Sequence, residues 1–343
     1  MATAYRAVEA SAPGQLTLVE RPLVEPGPGQ VRIRVEAAGV CHTDSVTVEG
    51  TWPGITFPRV PGHEIAGRID AVGKGVEGWK VGQRAALGWF GGECGECEAC
   101  RRVDIVNCPN QTITGITTDG GYAEVVIAEA RAVAAMPDDL SAEDAAQLMC
   151  AGTTVYNGLR NAGLRAGDLV AIQGIGGLGH LALQFARRMG FHTVAIARGK
   201  DKEELARKLG AHDYIDSTAQ DPAEALQTLG GANAILATAS SGKSMGPLVG
   251  GLARRGKLLV VGVSGEPIEV NLIQRLLGTK SIITEVAGTP IDKEDTLRFS
   301  ALQDVRPMLE RMPLEKAPAA YARMMRNEAR FRMVLTMESH REL

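Results

Sequence analysis

Hydrophobic and polar positions follow two different patterns along the chain. From about Gln30 to Ile127, short β-rich segments such as VRIRVEA, EIAGRIDAVG and YAEVVIA alternate with glycine, proline and aspartate, and helical periodicity is scarce. Closely spaced glycines supply tight turns between strands of this kind. The first region therefore predicts a compact, partly closed β-barrel.

After about Met149, apolar strands alternate with amphipathic helices, which is typical of a doubly wound parallel sheet. Apolar residues between Leu178 and Met189 recur at i, i+3, i+4, i+7, i+8 and i+11, which predicts a helix with one face on that sheet. The predicted strands are Leu169–Gln173, Thr193–Ala197, Ala234–Thr238, Leu258–Gly262 and Ser281–Thr284. A further strand, Arg332–Thr336, follows mixed helical signals and could return to the first region.

Length and charge narrow the possible classes of protein. At 343 residues the chain is long for one hydrophobic core, so we expect two domains, one interrupted by the other. The formal net charge of −3, with lysine and arginine scattered, argues against a nucleic-acid partner. No apolar run approaches the roughly 18 residues that cross a bilayer, and the N-terminus lacks a secretory signal pattern. We therefore expect a cytoplasmic enzyme that acts on a small molecule, without a membrane partner.

Four of the six cysteines lie within fifteen residues, at Cys94, Cys97, Cys100 and Cys108. Disulfides are not expected in a reducing compartment. Four thiolates close in sequence can surround one zinc ion and leave no position for a substrate, so this cluster predicts a structural zinc. Four unrelated thiols are the alternative, which the polar surroundings disfavour because buried structural cysteines seldom gather in a polar loop.

The other chemistry-bearing residues outside that cluster are Cys41, His63 and Cys150. Two thiolates and one imidazole form the ligand set of a catalytic zinc that keeps its fourth position open. Each residue alone is ambiguous, because Cys150 could be a small buried hydrophobe and His63 a core histidine bonded to backbone.

Glycines at 174, 176 and 179 satisfy G-x-G-x-x-G, directly after a predicted strand and at the start of a predicted helix. Gly174 permits a tight turn, Gly176 lets the backbone approach a pyrophosphate, and Gly179 lets helix and strand pack closely. Gly177 and Leu178 complete the predicted dinucleotide-binding turn. An ordinary glycine-rich turn is the alternative.

The second cofactor strand ends in Ala197 where an NAD site usually has Asp or Glu, and Arg198 and Lys200 follow. Without the carboxylate a 2′-phosphate is not repelled, and both cations can pair with it. We therefore expect NADP in preference to NAD. Alternatively the cations are solvated, and Asp201 or a backbone group binds the ribose.

Together these motifs resemble the medium-chain, zinc-dependent alcohol dehydrogenase family over essentially the whole chain. The motifs, in the family's order, are Cys41-His-Thr-Asp, Gly62-His-Glu, the four-cysteine lobe, Cys150-Ala-Gly-Thr-Thr-Val-Tyr and Gly174-Ile-Gly-Gly-Leu-Gly. The resemblance implies an α/β fold: a Rossmann doubly wound parallel sheet domain inserted in a GroES-like β-barrel catalytic domain. The implied bounds are 1–150 for the catalytic domain with its zinc lobe, 151–284 for the dinucleotide-binding domain and 285–343 for the return. The active site would lie in the cleft between the domains, and the assembly would be a homotetramer or else a dimer.

The resemblance also implies roles for single residues. Cys41, His63 and Cys150 would bind the catalytic zinc, and Glu64 could approach the metal. The hydroxyl of Thr43 would receive the proton of the alcohol. Thr154 would lie beside the nicotinamide and His42 near the pyrophosphate. An arginine near the cofactor would be Arg332 or, alternatively, Arg330. The residues implied to line the substrate pocket are Trp52, Trp89, Ile113, Ser45 and Val286.

These residues predict interconversion of small primary alcohols, or aromatic and secondary ones, with aldehydes or ketones, using two zinc ions per subunit and NADP or NAD. Val46 stands where many relatives end a proton relay in histidine, so the proton must leave by another route. Glu285 and Pro290 also depart from the family pattern, which puts cofactor or subunit contacts there in doubt. The alternatives are a polyol dehydrogenase, a zinc-free reductase of the same fold and a non-catalytic cofactor-binding protein.

Overall fold

A computed structural model of the chain describes residues 3–263, 265–285 and 288–337. The chain forms two compact units, one of residues 1–153 and 287–343 and the other of residues 154–286. The predicted substrate-pocket residue Val286 lies outside the described residues. Within the described ranges, no helix combines the length and the apolar character that crossing a membrane would require.

The strands are β1 Ala4–Ala12, β2 Gln15–Pro22, β3 Gln30–Val40, β4 Ile65–Val72, β5 Arg84–Leu87, β6 Phe90–Gly92, β7 Thr112–Ile113, β8 Val125–Glu129, β9 Ala134–Ala135, β10 Leu169–Gln173, β11 His192–Ala197, β12 Asp213–Asp216, β13 Ala232–Ala237, β14 Leu252–Val260, β15 Ser281–Thr284, β16 Leu309–Pro313 and β17 Arg332–Thr336. The α-helices are α1 Ser45–Val48, α2 Glu98–Arg101, α3 Ala142–Gln147, α4 Thr153–Asn161, α5 Gly179–Arg188, α6 Glu203–Lys208, α7 Pro222–Thr228, α8 Gly242–Met245, α9 Leu272–Leu276, α10 Pro290–Gln303 and α11 Ala317–Met325.

The first unit is built on a sheet with strand order β16-β17-β3-β4-β5-β9, in which β8 also pairs with β3. Its central strand β3 is long and mostly buried, and β-branched residues such as Val31, Ile33 and Val35 form part of the apolar core. Strand β17, predicted from the last apolar segment, pairs antiparallel with β3. The C-terminal segment therefore does return to the first unit, next to the strand that precedes Cys41.

The second unit contains a parallel sheet with strand order β12-β11-β10-β13-β14-β15. When the six strands are numbered in chain order from β10, their order across the sheet is 3-2-1-4-5-6, which is the doubly wound order of dinucleotide-binding folds. Strands β10 and β15 have the predicted bounds, whereas β14 begins earlier than predicted. The edge strand β12 was not predicted because its short sequence, DYID, is mostly polar and only partly buried.

Two helices matter for the sites described below. Helix α5 follows β10 and buries the apolar face that the sequence predicts, including Leu181, Phe185 and Ala186. Helix α10 begins at Pro290 after the N-cap Thr289, whose side chain accepts a hydrogen bond from the amide of Asp292 while the Asp292 carboxylate accepts one from the amide of Thr289. This capping box fixes the start of α10.

Candidate zinc and cofactor sites

Residues from three separate segments meet at one buried point of the first unit. Cys41 directly follows β3, and His63 and Glu64 directly precede β4, which pairs with β3. Cys150 lies in a π-helical turn, Leu148–Gly152, between α3 and α4. One potential ligand atom from each of these four residues lies within 4.8 Å of the others. A π-helical turn often marks a functional position because it redirects one side chain out of the regular helix.

The donors at this point suit a zinc ion. Cys41 and His63 are buried, and Nε2 of His63 has no hydrogen-bond partner among the described residues. A hydrogen bond from Cys150 lowers the pKa of the Cys41 thiol well below its usual value, and His63 adds to this effect against the cost of burial. Because a buried imidazole nitrogen without a partner is unfavourable, a cation between this nitrogen and the two sulfur atoms would satisfy all three groups.

Asp44 holds the imidazole in this orientation. Its Oδ1 lies 2.8 Å from Nδ1 of His63, and its Oδ2 accepts hydrogen bonds from the Cys41 amide at 2.9 Å and from the Tyr122 hydroxyl at 2.8 Å. Burial opposes protonation of His63, but Asp44 and Cys41 outweigh it and raise the pKa of the imidazole well above its usual value. The sequence alone indicates no role for Asp44 or Tyr122. The available signal for Asp44 is the carboxylate in the Cys-His-Thr-Asp segment, since a histidine that binds a metal usually donates the N–H of its other ring nitrogen to such a group.

Glu64 and Arg332 form a fully buried ion pair beside this point. Arg332 also donates to Oε1 of Gln147 at 2.5 Å, and Gln147 donates to the Met333 carbonyl at 2.7 Å. Burial raises the pKa of Glu64 to about 7, although Arg332 opposes the shift. A Cβ atom on Gly39 would lie 1.9 Å from Oε2 of Glu64, so only glycine leaves room for this carboxylate. The structure thus shows a partner for Arg332 within its own unit, while its cofactor contact stays a prediction.

The four-cysteine lobe is a second potential metal site. Neighbouring sulfur atoms of Cys94, Cys97, Cys100 and Cys108 lie 3.4 to 4.0 Å apart. Tetrahedral zinc with bonds of about 2.3 Å requires sulfur atoms roughly 3.8 Å apart, so the spacing fits. Amide hydrogen bonds from Glu96 and Cys97 lower the pKa of Cys94 to about 6. The backbone of the lobe therefore favours the thiolate of Cys94 before any metal binds, whereas burial and the neighbouring thiols raise the pKa of Cys100 to about 12.

The glycine-rich turn has the shape that a dinucleotide requires. Gly174 follows β10 with a φ of 88°, a conformation that favours glycine. A Cβ atom on Gly179 would lie 1.8 Å from the Gly174 carbonyl oxygen, whereas one on Gly176 would face open space. The third glycine is therefore needed for packing, and the second leaves room for an approaching phosphate.

The segment after β11 is held by its neighbours while its cations stay exposed. The Gly199 amide donates to Asp216 at 2.8 Å, and the Tyr214 hydroxyl donates to the Gly199 carbonyl at 2.6 Å. Arg198 and Lys200 on either side are exposed. The segment thus presents two cations on a fixed backbone.

Comparisons with known proteins agree with this arrangement. The model of the alcohol dehydrogenase GroES-like domain matches residues 27–138, and that of the zinc-binding dehydrogenase matches residues 177–301. Alcohol dehydrogenase notN from Aspergillus sp. (strain MF297-2) is 42% identical over 336 residues, covering 98% of both proteins. Alcohol dehydrogenase patD from Penicillium expansum is 44% identical over 322 residues, covering 94% of both. The chain belongs to the zinc-dependent medium-chain alcohol dehydrogenase family.

A solved structure of CAD from Helicobacter pylori, complexed with NADP(H), superposes on this dehydrogenase with a TM-score of 0.85, at 25% identity and 99% coverage of both chains. The predicted fold class, a Rossmann domain inserted in a GroES-like domain, is confirmed by the two domain matches and the parallel sheet.

The predicted substrate-pocket aromatics of the dehydrogenase lie next to a candidate zinc ligand. The ring of Trp89 packs edge-on against His63, with 5.3 Å between centroids, and against Trp52 at 6.0 Å. Both tryptophans are partly exposed and lie outside the buried core cluster, while Ile113 is buried opposite Phe90 in the β6–β7 pair. Their role in a substrate pocket stays a prediction.

Four further predicted residues occupy ordinary positions in the dehydrogenase. His42 and Thr43 lie in the short 3-10 turn after Cys41, with His42 exposed and Thr43 partly buried, and Ser45 begins α1. Thr154 is buried at the start of α4. Their roles stay predictions. Arg330, the competitor of Arg332, is exposed and donates to the carbonyls of its own neighbours Asn327 and Ala329.

Proposed function

We propose that this enzyme interconverts small primary alcohols, including aromatic ones, or secondary alcohols with aldehydes or ketones by hydride transfer to and from NADP. The observation that carries the proposal is the cluster of buried Cys41 and His63 with partly buried Cys150, in which the histidine nitrogen Nε2 has no hydrogen-bond partner among the described residues. Two thiolates and one imidazole leave a zinc ion one open position, which is typical of a catalytic site.

Cys41, His63 and Cys150 would hold this zinc, which supplies Lewis-acid stabilisation of an alkoxide and polarisation of a carbonyl. The protein contributes the orientation of the ligands: Asp44 fixes His63, and the pairing of β3 with β4 brings Cys41 beside it. Thr43 would accept the proton of the alcohol through its hydroxyl. Because Val46 cannot pass that proton on, we infer that it leaves through the cofactor ribose or water.

The substrate class follows from the aromatic wall. Trp89 lies edge-on to His63, and the ring of Trp52 meets that of Trp89 at 73°, so the pair suits small or flat apolar alcohols. We infer that Ile113 closes the same wall from the β6–β7 pair.

NADP is the proposed cofactor because Ala197 removes the usual carboxylate and because Arg198 and Lys200 are exposed on a segment fixed through Gly199. Asp216 is a competing carboxylate on the neighbouring strand β12, but it accepts hydrogen bonds from Gly199 and Thr218. The experiment compares kcat/KM with NADP and NAD for the wild type and R198A. Expected is a wild-type preference for NADP that falls about tenfold or more in R198A, through loss of a charge-assisted contact. A wild-type preference for NAD would overturn the proposed use of NADP.

The experiment that tests the whole proposal measures zinc per subunit by elemental analysis and turnover of a panel of alcohols and aldehydes by nicotinamide absorbance. Two zinc ions with turnover of simple alcohols is the expected result. One zinc and no turnover would leave only the four-cysteine lobe occupied and would favour a cofactor-binding role.

We also propose a homotetramer, or else a dimer, located in the cytoplasm. Helix α9, close in sequence to the edge strand β15, exposes Leu272, Ile273 and Leu276 by 60% to 67%, and large exposed apolar groups of this kind often mark subunit contacts. All six cysteines are unpaired with one another in disulfides, which agrees with a reducing compartment. Light scattering of the purified enzyme tests the assembly.

A further inference from the structure

A lysine is buried completely in the first unit and has no evident structural task. Lys293, in the first turn of α10, is 0% exposed, and its ammonium has no hydrogen-bond partner among the described residues. Lysine is almost never fully buried without a partner, because an ammonium removed from water loses several kcal/mol of solvation. A lysine without a hydrogen-bond partner in a stable core therefore indicates a function.

The surrounding chain makes room for this side chain. A Cβ atom on Gly88 would lie 2.5 Å from Cε of Lys293 and 2.7 Å from the carbonyl oxygen of Met149. The ammonium lies 5.7 Å from the centroid of the Phe90 ring. Glycine at position 88 thus lets the lysine lie between the β5–β6 segment and the π-helical turn that carries Cys150.

The nearest charged groups explain what the lysine can do there. Burial lowers the pKa of Lys293 to about 8, and Asp292 and the Cys150 thiolate oppose this shift, so the side chain stays largely charged at neutral pH. With Glu64 ionised against Arg332, the Cys41 and Cys150 thiolates and the carboxylates of Asp44 and Glu64 exceed, by one charge, the positive charge of Arg332 and a divalent ion. In that state the Lys293 ammonium brings this buried set to neutrality.

We propose that Lys293 is a positioning residue of the dehydrogenase centre: its buried ammonium acts through the Cys150 thiolate to balance the negative charge of the ligand set and so favours release of the proton from the bound alcohol. This inference rests on the proposed function. It assigns to α10 an electrostatic role in addition to packing.

The test compares wild type, K293M and K293R with R298M, which removes the same charge from an exposed position of the same helix. We expect kcat/KM for alcohol oxidation to fall about tenfold or more in K293M, because a unit charge beside the ligand set in a protein interior stabilises a developing negative charge by at least that factor. K293R should recover most of the activity, and R298M should match wild type. Since K293M removes a buried charge, its Tm should stay equal or rise.

A second readout is independent of turnover. In cobalt-exchanged enzyme, a cation beside a ligand sulfur raises the energy of the thiolate-to-cobalt charge-transfer band, so K293M should shift that band to longer wavelength and R298M should not.

Wild-type activity and an unshifted band in K293M would overturn the role of Lys293. So would a drop in activity that only follows a lowered Tm. Absence of alcohol turnover in wild type would instead refute the proposed function, and the cobalt band would still test Lys293. K293Q repeats both measurements if K293M does not fold.

Discussion

The two candidate metal sites differ in how far apart their donors lie along the chain. The four-cysteine lobe takes all its donors from residues 94–108, and backbone amides of the same loop support the thiolate of Cys94. The other site takes its donors from Cys41, His63 and Cys150, and its supporting groups include Tyr122 and Arg332 from further segments of the chain. A site whose donors lie in one loop forms when that loop folds. The site of Cys41, His63 and Cys150, here called the assembled site, forms only when the whole first unit folds. Zinc binding in the lobe should therefore depend on the four cysteines alone. Zinc binding in the assembled site should also depend on a supporting shell, the residues that contact its ligands.

The largest effect is expected from removing a donor of the assembled site. H63A should lower kcat by about a thousandfold or more, because the metal that stabilises the alkoxide would lose its nitrogen ligand. Elemental analysis should still find one zinc per subunit, bound in the lobe. Loss of both zinc ions would show that the two sites are not independent and would contradict the comparison.

Removing a donor of the lobe should act on stability. C97S should lower the free energy of unfolding by about 3 kcal/mol or more, since structural zinc contributes ~10 kcal/mol to folding in small zinc domains. Thermal and urea unfolding measure this effect. At temperatures where C97S remains folded, its kcat per catalytic zinc should equal that of wild type; a kcat reduced as far as in H63A would contradict a purely structural role.

The supporting shell gives an intermediate effect. D44N keeps the size of the side chain but removes the charge that fixes His63, so zinc affinity and kcat should fall by about 10- to 100-fold, as is usual for such partners. Chelator competition measures the affinity. D104N, a change at an exposed aspartate in the lobe, is the matched control and should leave both quantities unchanged. Equal behaviour of the two variants would remove Asp44 from the site.

The smallest effect is expected from Y122F. This change removes one hydrogen bond to Asp44 and leaves the ring in place, which corresponds to about 1 kcal/mol and hence roughly a fivefold loss of zinc affinity. Comparing the zinc affinities of Y122F and D44N shows whether each contact in the supporting shell contributes separately. A loss as large as that of D44N would mean that Tyr122 supports the site by more than this bond.

Local features of the fold and the sites could be predicted from the sequence. The cysteine spacing, the glycine-rich turn and the strands Leu169–Gln173 and Arg332–Thr336 depend on neighbours in the chain, and the structure shows them where the pattern places them. The polar edge strand Asp213–Asp216 was missed because its pairing with β11, and not its own periodicity, stabilises it.

Only the tertiary structure decided which distant side chains share a buried space. Asp44 meets Tyr122 across 78 positions, and Glu64 meets Arg332 across 268. Lys293 looks like an ordinary surface residue of a helix in the sequence, yet it is buried, because Gly88 leaves the space for it. The sequence determined the donors and their local geometry. The fold determined their partners, because the burial and electrostatics of a side chain depend on residues that the chain brings close only when it folds.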